Sequence, residues 1–150
     1  MRFEHAVKVD APRDVAWAFL MDIPGVAACV PGAEPVTPEA PDVYRGAVRV
    51  NVGPIRLRFE GDLTLTHRDD ASFTATMRLD AVDRAAGGGL RAEVQMSLAE
   101  TAEALELRLV TEATLAGRVG ELGRPIIKRQ VDKIANDFAA CLGRSLGATA

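Results

Sequence analysis

Polar and apolar residues alternate along most of this chain, and the period of the alternation changes twice. Phe3, His5, Val7 and Val9 are spaced by Arg2, Glu4, Ala6 and Lys8, the period-two signature of a strand with one buried face. Asp10 then offers a helix N-cap and Pro12 suits a first turn, so Pro12 to Met21 reads as a short helix turning Val15, Trp17 and Phe19 or Leu20 inward. Asp22, Pro24 and Gly25 interrupt it. Ile23 to Val30 reads as a second short helix, ended by Pro31-Gly32.

Period two returns at Tyr44. Gly46, Val48, Val50 and Val52 alternate with Arg45, Ala47, Arg49 and Asn51, Gly53-Pro54 turns the chain, and Ile55, Leu57, Phe59, Leu63 and Leu65 continue the same row. His67 to Ala71 makes the next turn. Phe73, Ala75, Met77 and Leu79 form a third inner row, and Gly87-Gly88-Gly89 reads as a flexible loop. Leu90, Ala92, Val94, Met96 and Leu98 form a fourth row. Leu105, Leu107, Leu109, Thr111 and Ala113 form a fifth after the Glu100 to Glu103 turn. A weakly patterned piece around Val36 is expected to add an edge strand.

The last long stretch, Arg118 to Leu142, repeats at about 3.6 residues. Val119, Ile126, Ile127, Ile134, Phe138 and Cys141 share an arc opposite Glu121, Lys128, Asp132 and Asn136, and Gln130 falls inside the apolar arc. Gly117, Gly120, Gly123 and Pro125 crowd its beginning, where Pro125 either starts the regular helix or kinks it. A curved antiparallel sheet with one polar face has to cover the other, and this helix is the only element long enough to do so. The expectation is an α+β fold of the helix-grip type. It has a curved antiparallel sheet of six to seven strands wrapped around a long C-terminal helix, two short helices after the first strand, and a single domain over residues 1–150.

Composition narrows the function classes. Net charge is −3, with 48% hydrophobic and 26% charged residues. Arg56 and Arg58 share their face with Glu60 and Asp62, so no basic stripe marks a nucleic-acid binder. Cys29 and Cys141 lack a C-x-x-C spacing and the histidines are only His5 and His67, so neither a zinc site nor a disulfide framework is expected. Reduced thiols in a cytoplasm are the simplest account. The charged start MRFEHAVKVDAPRD does not resemble a signal peptide, and no apolar run reaches the roughly 18 residues of a membrane span. A small-residue tail, Gly147 to Ala150, closes the sequence.

The inner rows carry almost no reactive chemistry. Every Asp, Glu, Lys and Arg within the five rows from Tyr44 to Ala113 falls on the outer parity, so only His5 and Tyr44 qualify as inward acid–base groups. The glycine triplet lacks the Lys-Ser/Thr of a phosphate loop. No nucleophile elbow, metalloprotease helix, metal or other cofactor is expected. What remains is an apolar interior, widened by Gly46, Gly61, Ala75 and Ala92. The expected ligand cavity draws Trp17 from the first helix, then Val48, Val50, Leu57 and Phe59 from the first hairpin. Phe73, Met77, Val94 and Met96 come from the middle rows, and Leu107, Leu109 and Thr111 from the last. Ile126, Ile127, Gln130 and Ile134 come from the long helix. Gln130 and Thr111 are its polar handles, suited to a carbonyl or hydroxyl on a hydrophobic small molecule.

Four stretches carry a family resemblance: A-P-R-D-V-A-W-A-F-L at 11–20, D-I-P-G-V-A-A-C-V-P-G-A at 22–33, Y-R-G-A-V-R-V-N-V-G-P-I at 44–55 and G-R-V-G-E-L-G-R-P-I-I-K at 117–128. Over nearly its whole length the chain resembles the carbon monoxide dehydrogenase CoxG family of the START-like, birch-pollen-allergen-like helix-grip superfamily (SRPBCC). The resemblance implies a non-catalytic cytoplasmic accessory to a carbon monoxide dehydrogenase-type molybdenum hydroxylase, binding a lipid- or quinone-like molecule. Some members carry a hydrophobic tail beyond the helix. This sequence stops at Ala150, so the expectation is indirect membrane association through a redox-enzyme partner. Two alternatives stand beside it: a cyclase- or hydrolase-type enzyme using His5 or Tyr44, and a protein-binding adaptor with a filled core.

Overall fold

The computed structural model describes residues 1–85, 87–102 and 104–147. Strand β1 (Arg2–Val9) leads through α1 (Arg13–Met21) and α2 (Ile23–Ala27) to β2 (Thr37–Ala40) and β3 (Val43–Val52). The chain then runs through β4 (Ile55–Asp69), β5 (Thr74–Asp83), β6 (Gly88–Glu100) and β7 (Leu105–Gly117). A 3₁₀ turn (Arg118–Leu122) precedes α3 (Arg124–Gly147). The seven strands form one antiparallel sheet in the order β1-β7-β6-β5-β4-β3-β2, the helix-grip arrangement the pattern predicts.

Cross-strand register fixes which side chains face inward, because period-two rows stay in phase only when like rows pair. Val48 pairs with Phe59 and Val50 with Leu57. Met77 pairs with Val94 and Ala75 with Met96, and Leu109 pairs with both Met96 and His5. The acids and bases of the outer rows meet one another on the convex face. Arg45 contacts Glu60 at 3.0 Å and Asp62 at 3.3 Å, and Arg58 contacts Glu34 at 2.7 Å.

Several boundaries differ from the sequence expectation. The edge strand lies at Thr37–Ala40 rather than around Val36, and α2 ends at Ala27 rather than Val30. β4 runs on to Asp69 through a bulge between Leu65 and His67, so the expected turn starts later. Phe73 consequently sits in that turn at φ +55°, not in the β5 row. Gly88 and Gly89 are paired residues of β6, opposite Gly117 and Ala116, so only Gly87 of the triplet lies in the turn.

The long helix is also two elements. Gly123 stands at φ +88°, a conformation an L side chain rarely adopts, and breaks the chain direction after Leu122. The Ile127 amide donates to the Gly123 carbonyl at 3.2 Å, so α3 begins beside Pro125, which starts the helix without kinking it. Val119 is buried by the 3₁₀ turn against the sheet and does not belong to the α3 stripe. Among the described residues no helix is long and apolar enough to cross a membrane. Residue 103 and the end of the small-residue tail, 148–150, lie outside the described residues.

Candidate functional site

The apolar interior is divided into two parts. An upper cluster joins Val52, Leu57, Phe59 and Val119, with Val48, Val50, Leu90 and Leu115 packed against it. A lower cluster joins α1, α2 and the end of α3 through Trp17, Leu20, Ile23, Met96, Leu107, Leu142 and Leu146, with Met77, Phe73 and Leu109 against it. Leu79, Val94 and Thr111 face inward by register but belong to neither cluster, and all three retain partial exposure. Inward apolar side chains of a filled core are ordinarily buried. Space therefore reaches the concave face between the clusters, beneath the middle of α3.

A cleft opens beside β3. The short β2 covers β3 only from Val43 to Arg45, and the connection after α2 rejoins it at an isolated Ala33–Val48 bridge. Beyond this the β3 edge faces α3 across a cleft of about 230 Å³, lined by Pro31, Gly32, Arg49, Val50, Asn51, Gln130, Lys133, Ile134 and Asp137. Three of these, Val50, Gln130 and Ile134, are among the expected cavity residues. The rim combines an amide that both donates and accepts, a cation and a carboxylate above apolar Val50 and Ile134. It can orient a polar head over an apolar body.

Sequence reasoning missed Pro31, Gly32, Arg49, Asn51, Lys133 and Asp137. The signal for two of them was present, because Lys133 and Asp137 stand three and seven positions after Gln130 on one helix face. Arg49 and Asn51 have outer parity and border the cleft because β2 does not reach this part of β3, where the Pro31-Gly32 lip meets the strand edge instead.

Other expected lining residues are placed differently. Ile126 is exposed at 42%. The inward stripe of α3 runs from buried Ile127 through half-buried Val131, Ile134 and Phe138 to buried Leu142, and Ile126 lies about 100° from Ile127 on the helix. With Ile126 outside, Gln130 flanks the stripe rather than sitting within it, which is why it reaches the cleft. Trp17 is buried and fixed, its Nε1–H donating to Asp70 Oδ1 at 2.9 Å and its ring set edge-on to Phe73 at 5.7 Å. Trp17 and Phe73 thus seal the lower end. A Cβ on Gly46 would meet the Val36 side chain, and one on Gly61 would collide with the Asp80 carbonyl and Ala81 Cα. These glycines admit neighbours and do not widen the interior, and Ala75 is packed within the lower cluster.

The two candidate acid–base groups do not share a pocket. His5 lies on edge strand β1 and Tyr44 on β3, with β7, β6, β5 and β4 between them. Tyr44 packs against the lower cluster. His5 Nε2 meets Asp132 Oδ1 at 2.9 Å, joining β1 to α3. The ammonium of Lys128, bonded to the other carboxylate oxygen at 2.6 Å, holds the Asp132 carboxyl below its usual range, and His5 adds to the effect. Gly143-Arg144-Ser145-Leu146-Gly147 spells the letters of a nucleophile elbow, contrary to expectation. Ser145, however, lies inside α3 rather than on a strand-to-helix turn, and its Oγ faces Cys29 Sγ at 3.8 Å. Among the described residues no cluster of His, Cys, Asp and Glu could hold a metal ion.

Cys29 and Cys141 form a disulfide, with Cα atoms 5.3 Å apart across a sequence separation of 112. This corrects the expectation of reduced thiols. Pairing required α2 to fold back against the end of α3, a long-range contact that cysteine spacing does not encode.

No curated protein matches the chain. Among solved structures, a conserved protein from Geobacillus kaustophilus superposes at TM-score 0.89 with 13% identity, covering 99% of this chain and 97% of that one. A START superfamily protein from Mycobacterium smegmatis gives 0.72 at 11% identity, covering 99% of each chain. The Zhui aromatase/cyclase from a Streptomyces species gives 0.68 at 20% identity, covering 98% of this chain and 93% of that one. These likenesses establish a shared fold. The family model for the carbon monoxide dehydrogenase CoxG protein matches residues 6–147, and the chain therefore belongs to the CoxG family.

Proposed function

We propose that this protein is a non-catalytic carrier that holds a hydrophobic, lipid- or quinone-like molecule between sheet and α3, as an accessory to a carbon monoxide dehydrogenase-type molybdenum hydroxylase. The observation that carries the reading is the divided interior. Inward Val94 and Thr111 stay partly exposed between two packed clusters, and the cleft between β3 and α3 carries Gln130 on its rim. Family membership supports the accessory role and the redox-enzyme partner. In this reading the apolar body lies over Val94, Ile127 and Ile134, while Gln130 bonds a carbonyl or hydroxyl at the rim. The partner enzyme in this reading acts in the cytoplasm and provides an indirect route to the membrane.

Native mass spectrometry of the protein from its own host, followed by organic extraction, is expected to show a co-purified apolar molecule. Titration with a long-chain quinone is expected to saturate at one per chain. Gln130→Leu should weaken that binding about 2–13-fold, the value of one hydrogen bond of about 0.5–1.5 kcal/mol, with folding intact. Failure to extract or load any apolar molecule sinks the proposal.

A further inference from the structure

We propose that the Cys29–Cys141 bond is a redox-operated latch governing passage of ligand through the cleft; this rests on the carrier reading above. α3 is flanked differently on its two sides. On one side it packs against β1 and α1, and Asp132 binds His5 at 2.9 Å. On the other side lies the cleft, whose lip is Pro31-Gly32. The lip is fastened to β3: the Arg49 amide donates to the Gly32 carbonyl at 2.9 Å and the Glu34 amide to the Ala47 carbonyl at 2.8 Å. Gly32 stands at φ +81°, and a Cβ there would strike the Arg49 carbonyl, so only glycine lets the lip lie this close. The lip therefore moves with β3.

The chain has two cysteines, and their bond is the covalent link from this lip to α3. Cys29 precedes Pro31 by two positions, and Cys141 follows Asp137 by one helical turn. The bond thus crosses the lower edge of the cleft. The cleft, about 230 Å³, is smaller than the roughly 300–1,000 Å³ of pockets that enclose small molecules. A long apolar ligand enters only if α3 and β3 separate. With the bond closed, α3 is fixed covalently on the cleft side; with it open, that side is held only by the packing of Leu142 and Leu146 in the lower cluster, and α3 swings about its β1 attachment when that packing yields.

The opening step is thiol–disulfide exchange with a dithiol reductant. Its thiolate attacks Cys141 Sγ, since Cys141 is half-buried while Cys29 is 5% exposed. The S–S bond breaks, a mixed disulfide forms at Cys141, and the Cys29 thiolate leaves and takes a proton. The reductant's second thiol then displaces the Cys141 thiol and closes its own disulfide, so two electrons and two protons reach the protein. Disulfides in a cytoplasm are characteristically transient and redox-sensing, which suits a latch better than a permanent staple.

The test uses Nile red fluorescence in stopped flow, with air-oxidised wild type, dithiothreitol-reduced wild type and the Cys29→Ser/Cys141→Ser variant. Maleimide mass-tagging counts free thiols, and circular dichroism checks folding. Expected are no free thiols after oxidation and uptake and release at least ten-fold faster after reduction. The variant should be fast in both buffers. The wild-type comparison stands by itself if the variant does not fold. Equal rates with a confirmed change of thiol state overturn the latch alone, as do two free thiols in oxidised protein or unfolding upon reduction. Nile red binding to neither state overturns the carrier reading and the latch with it.

Discussion

Removing the cross-link should cost stability in an amount that the fold itself sets. The bond closes a loop with a sequence separation of 112. The chain-entropy model assigns such a loop about 4.7 kcal/mol of denatured-state entropy, and measured losses for native disulfides fall at about 2–5 kcal/mol. For a chain of this length each kcal/mol moves Tm by about 2–4 °C, so the reduced protein should melt about 5–15 °C lower. Urea unfolding of oxidised wild type, reduced wild type and Cys29→Ala/Cys141→Ala measures it. Reduction should lower the midpoint and raise the urea dependence, because an uncrosslinked denatured chain exposes more surface. The double variant should track the reduced protein. Coincident midpoints for oxidised and reduced wild type would refute the reasoning, since a loop this long cannot be closed at no entropic cost.

Three other outcomes follow from particular contacts. Gly61→Ala should lose more than about 2 kcal/mol in urea unfolding, because the new methyl meets the backbone of Asp80 and Ala81 and not a side chain that could swing away. Ile126→Ser should change stability by less than about 0.5 kcal/mol and leave quinone titration unchanged, since Ile126 is exposed. Arg58, with a smaller contribution from Arg49, depresses the Glu34 carboxyl from 4.5 to about 2. A carboxyl depressed in the fold adds stability above its unfolded value, and that stability is lost as pH falls through the folded value. Acid melts of wild type should therefore show a loss between about pH 4.5 and 2 that Glu34→Gln flattens.

The order of elements and the inner rows were legible because they depend on local periodicity. Val48, Phe59, Met77, Val94 and Leu109 face inward as their alternation requires. The site was legible only in part, and each miss has a non-local cause. Gly46 and Gly61 look like spare volume until Val36 and β5 are placed beside them. Ile126 looks central until Gly123 fixes where α3 starts. Arg49 and Asn51 border the cleft because β2 begins only at Thr37, opposite Arg45, a start that no pattern before 37 announces. In sequence Pro31-Gly32 signals only a helix stop, yet its place on β3 makes it the lip.

These corrections locate the selectivity of the site. Among the described residues, the inward rows between the two clusters offer a ligand apolar side chains and the Thr111 hydroxyl, while outer-row acids and bases pair with one another on the convex face. An ion carried into such an interior would lose its hydration with nothing to replace it, a cost far beyond what apolar burial returns. Recognition of a polar head therefore falls to the rim, where Gln130, Lys133 and Asp137 stand along one flank of α3. The same helix forms the moving wall if the latch opens. Head-group recognition and admission of the apolar body then act through one element, so a ligand whose head bonds Gln130 also resists the swing that would release its tail.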